Sequence, residues 1–218
     1  MKIFHLSDTH GWGFWDRPLS PETDVVAHSG DLFPNSTRGI ARIETPFQKE
    51  WLSRFTEPIK RWLDGRPLVY VPGNHDYYEL ADAMPAHRVS THPITVCGKS
   101  WVGFREIPYI YGEWMGEVHD KDMQHIVANI FQPTNSSNSP GHDILLCHAP
   151  PAGMMDSPID KRIHYGIICL ATSLQFMPHD FKAVLFGHVH QNTYQQETVM
   201  GVIFSNAADT DGGIVELV

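Results

Sequence analysis

Several features are scarce or missing, and each absence excludes something. No apolar run approaches the roughly 20 residues of a membrane span. The start, Met1-Lys2-Ile3-Phe4-His5-Leu6-Ser7-Asp8, reaches a charge too soon for the apolar region of a signal peptide. The expectation is a cytoplasmic protein with no membrane partner. Cys97, Cys147 and Cys169 are odd in number, far apart and form no C-x-x-C pair, which excludes a disulfide framework. There is no basic run, and 16 Lys and Arg against 25 Asp and Glu leave a formal charge of −9. A broad electrostatic grip on nucleic acid is therefore not expected. Hydrophobic residues at 42% and charged residues at 19% are an ordinary globular mix, which excludes extended disorder. No internal repeat is visible, and 218 residues suit one domain spanning 1–218 better than two.

What is abundant is histidine, 14 in all, and it invites a search for metal ligands. Five short apolar runs each end in a polar cluster. Lys2–Leu6 leads to Asp8-Thr9-His10, and Asp24–His28 to Ser29-Gly30-Asp31. Leu68–Val71 leads to Gly73-Asn74-His75-Asp76, Asp143–Cys147 to His148-Ala149-Pro150-Pro151, and Ala183–Phe186 to Gly187-His188-Val189-His190. Short apolar runs bounded by turn residues read as strands buried on both faces. In open α/β sheets, functional groups collect beyond the carboxyl ends of such strands.

Between the strands, a helix is expected over about Thr45 to Asp64, with Thr45 as N-cap, Pro46 in first position and Gln48 completing a capping box. Phe47, Trp51, Phe55, Ile59 and Trp62 would form its apolar face, and Pro58 would kink or split it. Shorter helices are expected around Lys121–Phe131 and Ile167–Met177. Asn192–Gln196, Val199–Ser205 and Gly213–Leu217 read as strands, Val96–Trp101 as a hairpin, and Gln132–His142 as a surface loop. Crossover units mixed with meanders fit two packed mixed sheets with helices outside.

Asp8, His10, Asp31, Asn74, His148, His188 and His190 supply two carboxylates, one amide oxygen and four imidazoles. Nitrogen and oxygen donors without thiolate suit manganese, iron, zinc or nickel. Seven ligands are too many for one tetrahedral ion and about right for two that share a carboxylate, with Asp31 the natural bridge. Two such ions clamp the attacking and leaving oxygens of an in-line displacement and activate a water near neutral pH. His75 sits between a candidate ligand and Asp76. A histidine that donates to a carboxylate is fixed in orientation and more basic, as a general acid requires, although Asp76 could equally cap a following helix.

The order Asp8-Thr9-His10, Gly30-Asp31, Gly73-Asn74-His75-Asp76, His148 and Gly187-His188-Val189-His190 resembles the calcineurin-like metallophosphoesterase superfamily. The resemblance implies a four-layer αββα sandwich with two metals at the strand ends. It implies one ion on Asp8, His10, Asp31 and His190, and another on Asp31, Asn74, His148 and His188. It also implies that His75 protonates the leaving oxygen with Asp76 orienting it, and that Asn74 and His75 meet the substrate. Pro34 stands where many relatives carry Asp or Asn, with Asn35 one residue later. His148-Ala149-Pro150-Pro151 with Gly153 and Asp156, and the later Asn206, resemble the small phosphodiesterases of the family.

The expected activity is hydrolysis of a small organic or nucleotide phosphodiester. A phosphomonoesterase, a nuclease or a non-catalytic metal-binding module are the alternatives. Arg17, Arg38, Arg105 and Arg162 are scattered, whereas a monoesterase usually needs a clustered positive clamp. Trp12, Trp15, Tyr109, Tyr111 and Trp114 are available to stack on an organic group. His5 and His28 are expected in the core, and His119, His125 and His164 at the surface.

Overall fold

The computed structural model of the chain describes residues 1–36, 39–80, 84–131, 141–158, 163–176, 181–190, 194–208 and 211–217. Two mixed sheets pack face to face. The five-stranded sheet has the order β13-β1-β2-β3-β4, built from β1 (Lys2–Leu6), β2 (Val25–His28), β3 (Leu68–Tyr70), β4 (Ala86–Arg88) and β13 (Gly213–Glu216). The six-stranded sheet has the order β11-β12-β10-β9-β6-β5. Its strands are β5 (Ile94–Val96), β6 (Lys99–Phe104), β9 (Ile144–Cys147), β10 (Ala183–Phe186), β11 (Gln195–Val199) and β12 (Val202–Asn206). A small parallel pair, β7 (Ile107–Pro108) and β8 (Glu117–Val118), stands apart.

The apolar runs are continuous because each central strand faces two hydrophobic layers. Successive side chains point to opposite sides of a strand. Ile3, Val25, Ala27 and Val69 therefore meet Trp101, Ile144, Leu146, Ala183 and Leu185 between the sheets. Leu6, Val26, Leu68 and Tyr70 face outward onto α1 (Ala41–Leu63) through Trp51, Leu52, Ile59 and Leu63. Leu145, Cys147, Val184 and Phe186 face α2 (Asp120–Phe131) and α3 (Ile168–Phe176) on the opposite outside. The result is the expected four-layer αββα sandwich. Each fully buried Leu, Ile or Val contributes roughly 1.5–3 kcal/mol.

The edge strands β13, β11 and β5 pair antiparallel, whereas the edge strand β4 and the central strands are parallel. Parallel pairing is what brings the ends of β1, β2, β3, β9 and β10 to one rim. The Val96–Trp101 hairpin turns through Cys97 and Gly98, both in the left-handed region, as a two-residue turn matched to strand twist requires.

The helix starts earlier than its sequence signals imply. Ile40 is the N-cap, so Thr45, Pro46 and Gln48 lie inside α1 and no capping box forms. Pro58 does not split it, since α1 runs unbroken for 23 residues. Its buried face is Glu44, Gln48, Trp51, Leu52, Ile59 and Leu63, while Phe47 is exposed. The aromatic stripe was a partial guide, because two buried polar residues share the inward face. The segments expected over 132–140, at Met177 and at Asn192 lie outside the described residues. No helix among the described residues is long and apolar enough to cross a membrane.

Candidate metal centre

The polar clusters begin where the strands end, and their backbone is unusual. Asp8, His10, Asp31 and His188 all have positive φ, between 45° and 66°. Left-handed backbone is costly for a residue with a Cβ, at roughly 1–3 kcal/mol, and such strain collects at functional sites. Hydrogen bonds offset it. Asp8, His10 and Gly11 donate their backbone N–H groups to the carbonyls of Gly30, Asp31 and Leu32 at 2.8–2.9 Å, zipping the loop after β1 to the loop after β2. Gly73 admits no side chain, since a Cβ there would lie 2.1 Å from Asp31 Oδ1. Gly30 has φ of 110°, and a Cβ on it would lie 2.5 Å from His148 Nδ1.

All seven expected ligands meet at this rim. The donor atoms of Asp8, His10 and His190 lie within 4.8 Å of one another, as do those of Asp8, Asp31 and His148. The carboxylate common to these two groups is Asp8. Asp31 Oδ2 nevertheless lies 3.9 Å from His10 Nε2 and 3.5 Å from His148 Nε2, between the two halves. Asn74 Oδ1 lies 2.8 Å from His148 Nε2 and 3.0 Å from His188 Nδ1. Each carboxylate keeps one oxygen for protein donors and turns the other inward. Asp8 Oδ2 accepts from Ser7 Oγ at 2.5 Å and the His188 N–H at 2.9 Å, leaving Oδ1 toward His190 Nε2 at 3.2 Å. Asp31 Oδ1 accepts from the His75 N–H at 2.7 Å.

This donor set fits a cation. His148 Nδ1 lies 2.8 Å from the Ser29 carbonyl, which only accepts, so Nδ1 carries the proton. In its neutral form His148 then turns a bare Nε2 lone pair toward Asn74 Oδ1 and Asp31 Oδ2. Three acceptors converge without a donor between them, the arrangement that a positive ion satisfies. His10 Nδ1 is also buried without a hydrogen-bond partner among the described residues.

In the bare protein a proton on His148 takes the place of the cation among these acceptors. Burial opposes charge on His148, but the adjacent Asp31, reinforced by Asp8, pushes its pKa up to about 9. Burial likewise works against the Asp31 carboxylate, yet His148 and the other imidazoles hold it well below the usual carboxylate range. Asp8 is held down to about 2 against its own burial by His190 and His148. Burial, then the neighbouring His148, pushes His188 down to about 3. Without metal, the charge on His148 offsets part of that on Asp8 and Asp31.

His75 is half-buried at the edge, its ring 5.6 Å from His10 and 5.5 Å from Trp114. The expected bond from its imidazole to Asp76 is absent among the described residues. Asp76 is buried, and its two oxygens accept instead from the backbone N–H groups of Phe33 at 3.0 Å and Gly73 at 2.8 Å. Burial and then the nearby Asp31 raise its pKa. Asp76 thus ties the loop after β3 to the loop after β2, and it braces the backbone around His75.

Two more side chains complete that brace. Gln48, fully buried on α1, donates to the His75 carbonyl at 2.7 Å and accepts from the Tyr77 and Tyr78 N–H groups at 2.7 and 3.1 Å. Arg105 donates to the Gly73 and Asp76 carbonyls at 2.8 and 2.9 Å. A polar residue on the inward face of an amphipathic helix was the signal that Gln48 offered. On the other sheet, Asn206 donates to the Val189 carbonyl at 3.1 Å, within the His188–His190 turn. The Pro34 ring packs over Gly11, and Asn35 is exposed.

The other aromatic and histidine expectations divide. Trp15 is half-buried and packs against Trp51, Phe55 and Phe14 at the edge of the core. Trp12 is exposed, and Tyr109 stacks on His119. His5 and His28 are buried as expected, bonded to Ser205 and Ser29 and to Thr9 respectively.

The family model for calcineurin-like phosphoesterases matches residues 1–192. The chain belongs to the calcineurin-like phosphoesterase family. Membership makes it a metal-dependent phosphoesterase, and the two overlapping donor groups agree with a dinuclear divalent site. No curated protein matches the sequence. Among solved structures, the phosphopantetheinyl hydrolase of Mycobacterium tuberculosis is similar at 14% identity and TM-score 0.55, over 96% of this chain and 89% of that one. A putative 5′-nucleotidase from Staphylococcus aureus is similar at 11% identity and TM-score 0.52, over 97% of this chain and 49% of that one. At these identities the likeness is one of fold.

Proposed function

We propose that this phosphoesterase hydrolyses a small organic or nucleotide phosphodiester, with Asp8, His10, Asp31, Asn74, His148, His188 and His190 as its ligands and His75 as its general acid. The observation that carries this is the meeting of seven oxygen and nitrogen donors from both sheets with a half-buried imidazole at their edge. A pair of divalent ions there, manganese, iron, zinc or nickel, would supply Lewis-acid polarisation of the phosphate and a nucleophile at neutral pH.

The chain's own side chains do the remaining work. Asp31 bridges the two halves through Oδ2, while its other oxygen is fixed by the His75 N–H. That same bond, with Gln48 and Asp76, holds the His75 backbone in place. The imidazole of His75 gives its proton to the departing oxygen.

Two observations support a diester over a monoester. A monoester carries a second negative charge, and two of the four arginines singled out in the sequence, Arg105 and Arg17, are engaged by other groups. Arg105 is engaged by backbone carbonyls, and Arg17 pairs with Asp211. Among the described residues that line the cleft beside His188 and His190 there is no Lys or Arg. Arg38 and Arg162 lie outside the described residues. The test is a paired assay of bis(4-nitrophenyl) phosphate and 4-nitrophenyl phosphate with each of the four metals. The diester should show the higher kcat/KM. A clear monoester preference overturns the proposal, and efficient cleavage of duplex DNA at physiological salt would put a nuclease first.

A further inference from the structure

Beside the candidate ligands lies a cleft of about 280 Å³ whose floor includes His188 and His190. Ile110, Tyr111, Trp114, Pro158 and Tyr165 also line it, and no Asp, Glu, Lys or Arg does so among the described residues. Three of these rings border the site, Trp114 and Tyr111 on the side of His75 and Tyr165 on the side of His188. Trp114 is 5.5 Å from the His75 ring, Tyr111 meets Trp114 edge-on at 5.7 Å, and Tyr165 stands edge-on to His188 at 6.3 Å.

The loop that carries Tyr111 and Trp114 is tied to the site rather than loosely laid over it. The Met115 N–H donates to the Asn74 carbonyl at 3.2 Å, so the residue after Trp114 is bonded to a candidate ligand. The Tyr111 N–H donates to the Glu117 carboxylate at 3.2 Å, and the Gly112 N–H also reaches it. Tyr111 remains 69% exposed despite this anchoring. An anchored loop that keeps a large ring in water at the mouth of this cleft gains little from that ring in the free protein beyond its edge contact with Trp114. By contrast, Tyr109 is stacked on His119 and Trp15 is packed at the edge of the core.

We propose that this cleft is the subsite for a planar aromatic substituent of the substrate, on the side of the phosphorus that faces His75. The proposal rests on the phosphodiesterase reading above and narrows it to aryl or nucleoside esters. The volume sits just below the usual range of small-molecule pockets, roughly 300–1,000 Å³, which suits one ring or one nucleobase rather than a whole nucleotide. Stacking on aromatic side chains asks only for a π face, so an uncharged wall serves it well.

Phosphinates mimic the charge and shape of a diester and are not hydrolysed, so binding can be measured apart from catalysis. Calorimetry on the metal-loaded protein should find diphenylphosphinate bound at least about tenfold tighter than dimethylphosphinate. Tyr111→Ala and Trp114→Ala should each shrink that ratio, within the roughly 5- to 150-fold that one stacked ring is worth. Equal affinity for the two phosphinates, or a ratio indifferent to both substitutions, overturns the subsite. A thymidine 5′-methylphosphonate that outcompetes diphenylphosphinate identifies the ring as a nucleobase, and the reverse identifies a simple aryl group. Hydrolysis of methyl phenyl phosphate and methyl hexafluoroisopropyl phosphate, whose leaving groups are of similar acidity, separates the two levels of the proposal. Ring-selective binding with neither ester cleaved removes the catalytic reading and leaves the cleft. Cleavage of both esters with equal kcat/KM and no ring-selective binding removes the cleft and leaves the catalysis.

Discussion

The two sheets bring different chemistry to the same rim. The five-stranded sheet delivers both carboxylates, the amide oxygen, His10 and His75 from the ends of β1, β2 and β3. The six-stranded sheet delivers only imidazoles, His148, His188 and His190, from β9 and β10. Their bracing differs too. On the first side, Gln48, Asp76 and Arg105 bond the backbone of residues 73 to 78 from three directions. On the second side, Asn206 holds the His188–His190 turn, and the His190 side chain is 41% exposed. The difference teaches that the anionic half is a prebuilt frame, and that the imidazole half closes it and borders the cleft beside it.

The largest way to break that comparison is at the carboxylate between the halves. Asp31→Ala should lower the metal content well below about two ions per chain and abolish most activity. Elemental analysis after metal loading reads this directly. Two ions held as tightly as in the wild type would sink the bridging role.

Next comes His75, on the braced side but outside the ligand set. His75→Ala should keep both ions and lose about 10²–10⁴-fold in kcat. The loss should shrink for esters with good leaving groups, which need little protonation. An equal loss for nitrophenyl and alkyl esters would assign His75 to substrate positioning instead.

The brace itself is tested by Gln48→Leu, which removes the bonds to the His75 carbonyl and the Tyr77 and Tyr78 N–H groups. Kcat should drop roughly 10- to 100-fold through misplacement of His75, with the same bias against poor leaving groups. A mutant that is merely less heat-stable, with an unaltered leaving-group dependence, would make Gln48 structural only.

The smallest effect near neutral pH concerns His5, packed between the sheets against Ser205 and Ser29. Burial, aided by the nearby His28, pushes its pKa down from 6.5 to about 3. As pH falls, the unfolded chain takes up the proton first. The stability contributed by neutral His5 is therefore complete above about pH 6.5 and is lost progressively as pH falls toward 3. Denaturant midpoints of the metal-free protein should decline over that window, and His5→Gln should flatten the decline. An unchanged slope would place the acid sensitivity wholly in the metal centre.

The strand runs and their polar ends were legible because both signals are local. A buried strand shows as four or five apolar residues, and a turn shows as Gly, Asn, Asp or Pro beside it. The seven donors were legible for the same reason, since all of them follow the ends of five such strands. Helix α1 was legible in kind but not in detail. Its true face includes Glu44 and Gln48, whose partners lie outside the helix, Ser36 just before it and the His75 carbonyl after β3.

The sequence by itself determined the inventory: two carboxylates, an amide and four imidazoles without thiolate, distributed over strand ends of alternating depth. It also determined the sandwich, because continuous apolar strands must bury both faces. Only the tertiary structure decided how those groups divide their atoms. Asp76 serves the backbone of Phe33 and Gly73 rather than the imidazole beside it in sequence, because the loop after β2 lies within hydrogen-bond reach. Trp15 went to the edge of the core and Trp114 to the cleft for a similar reason. Which neighbours a side chain finds depends on contacts dozens of residues away, and no local pattern encodes them.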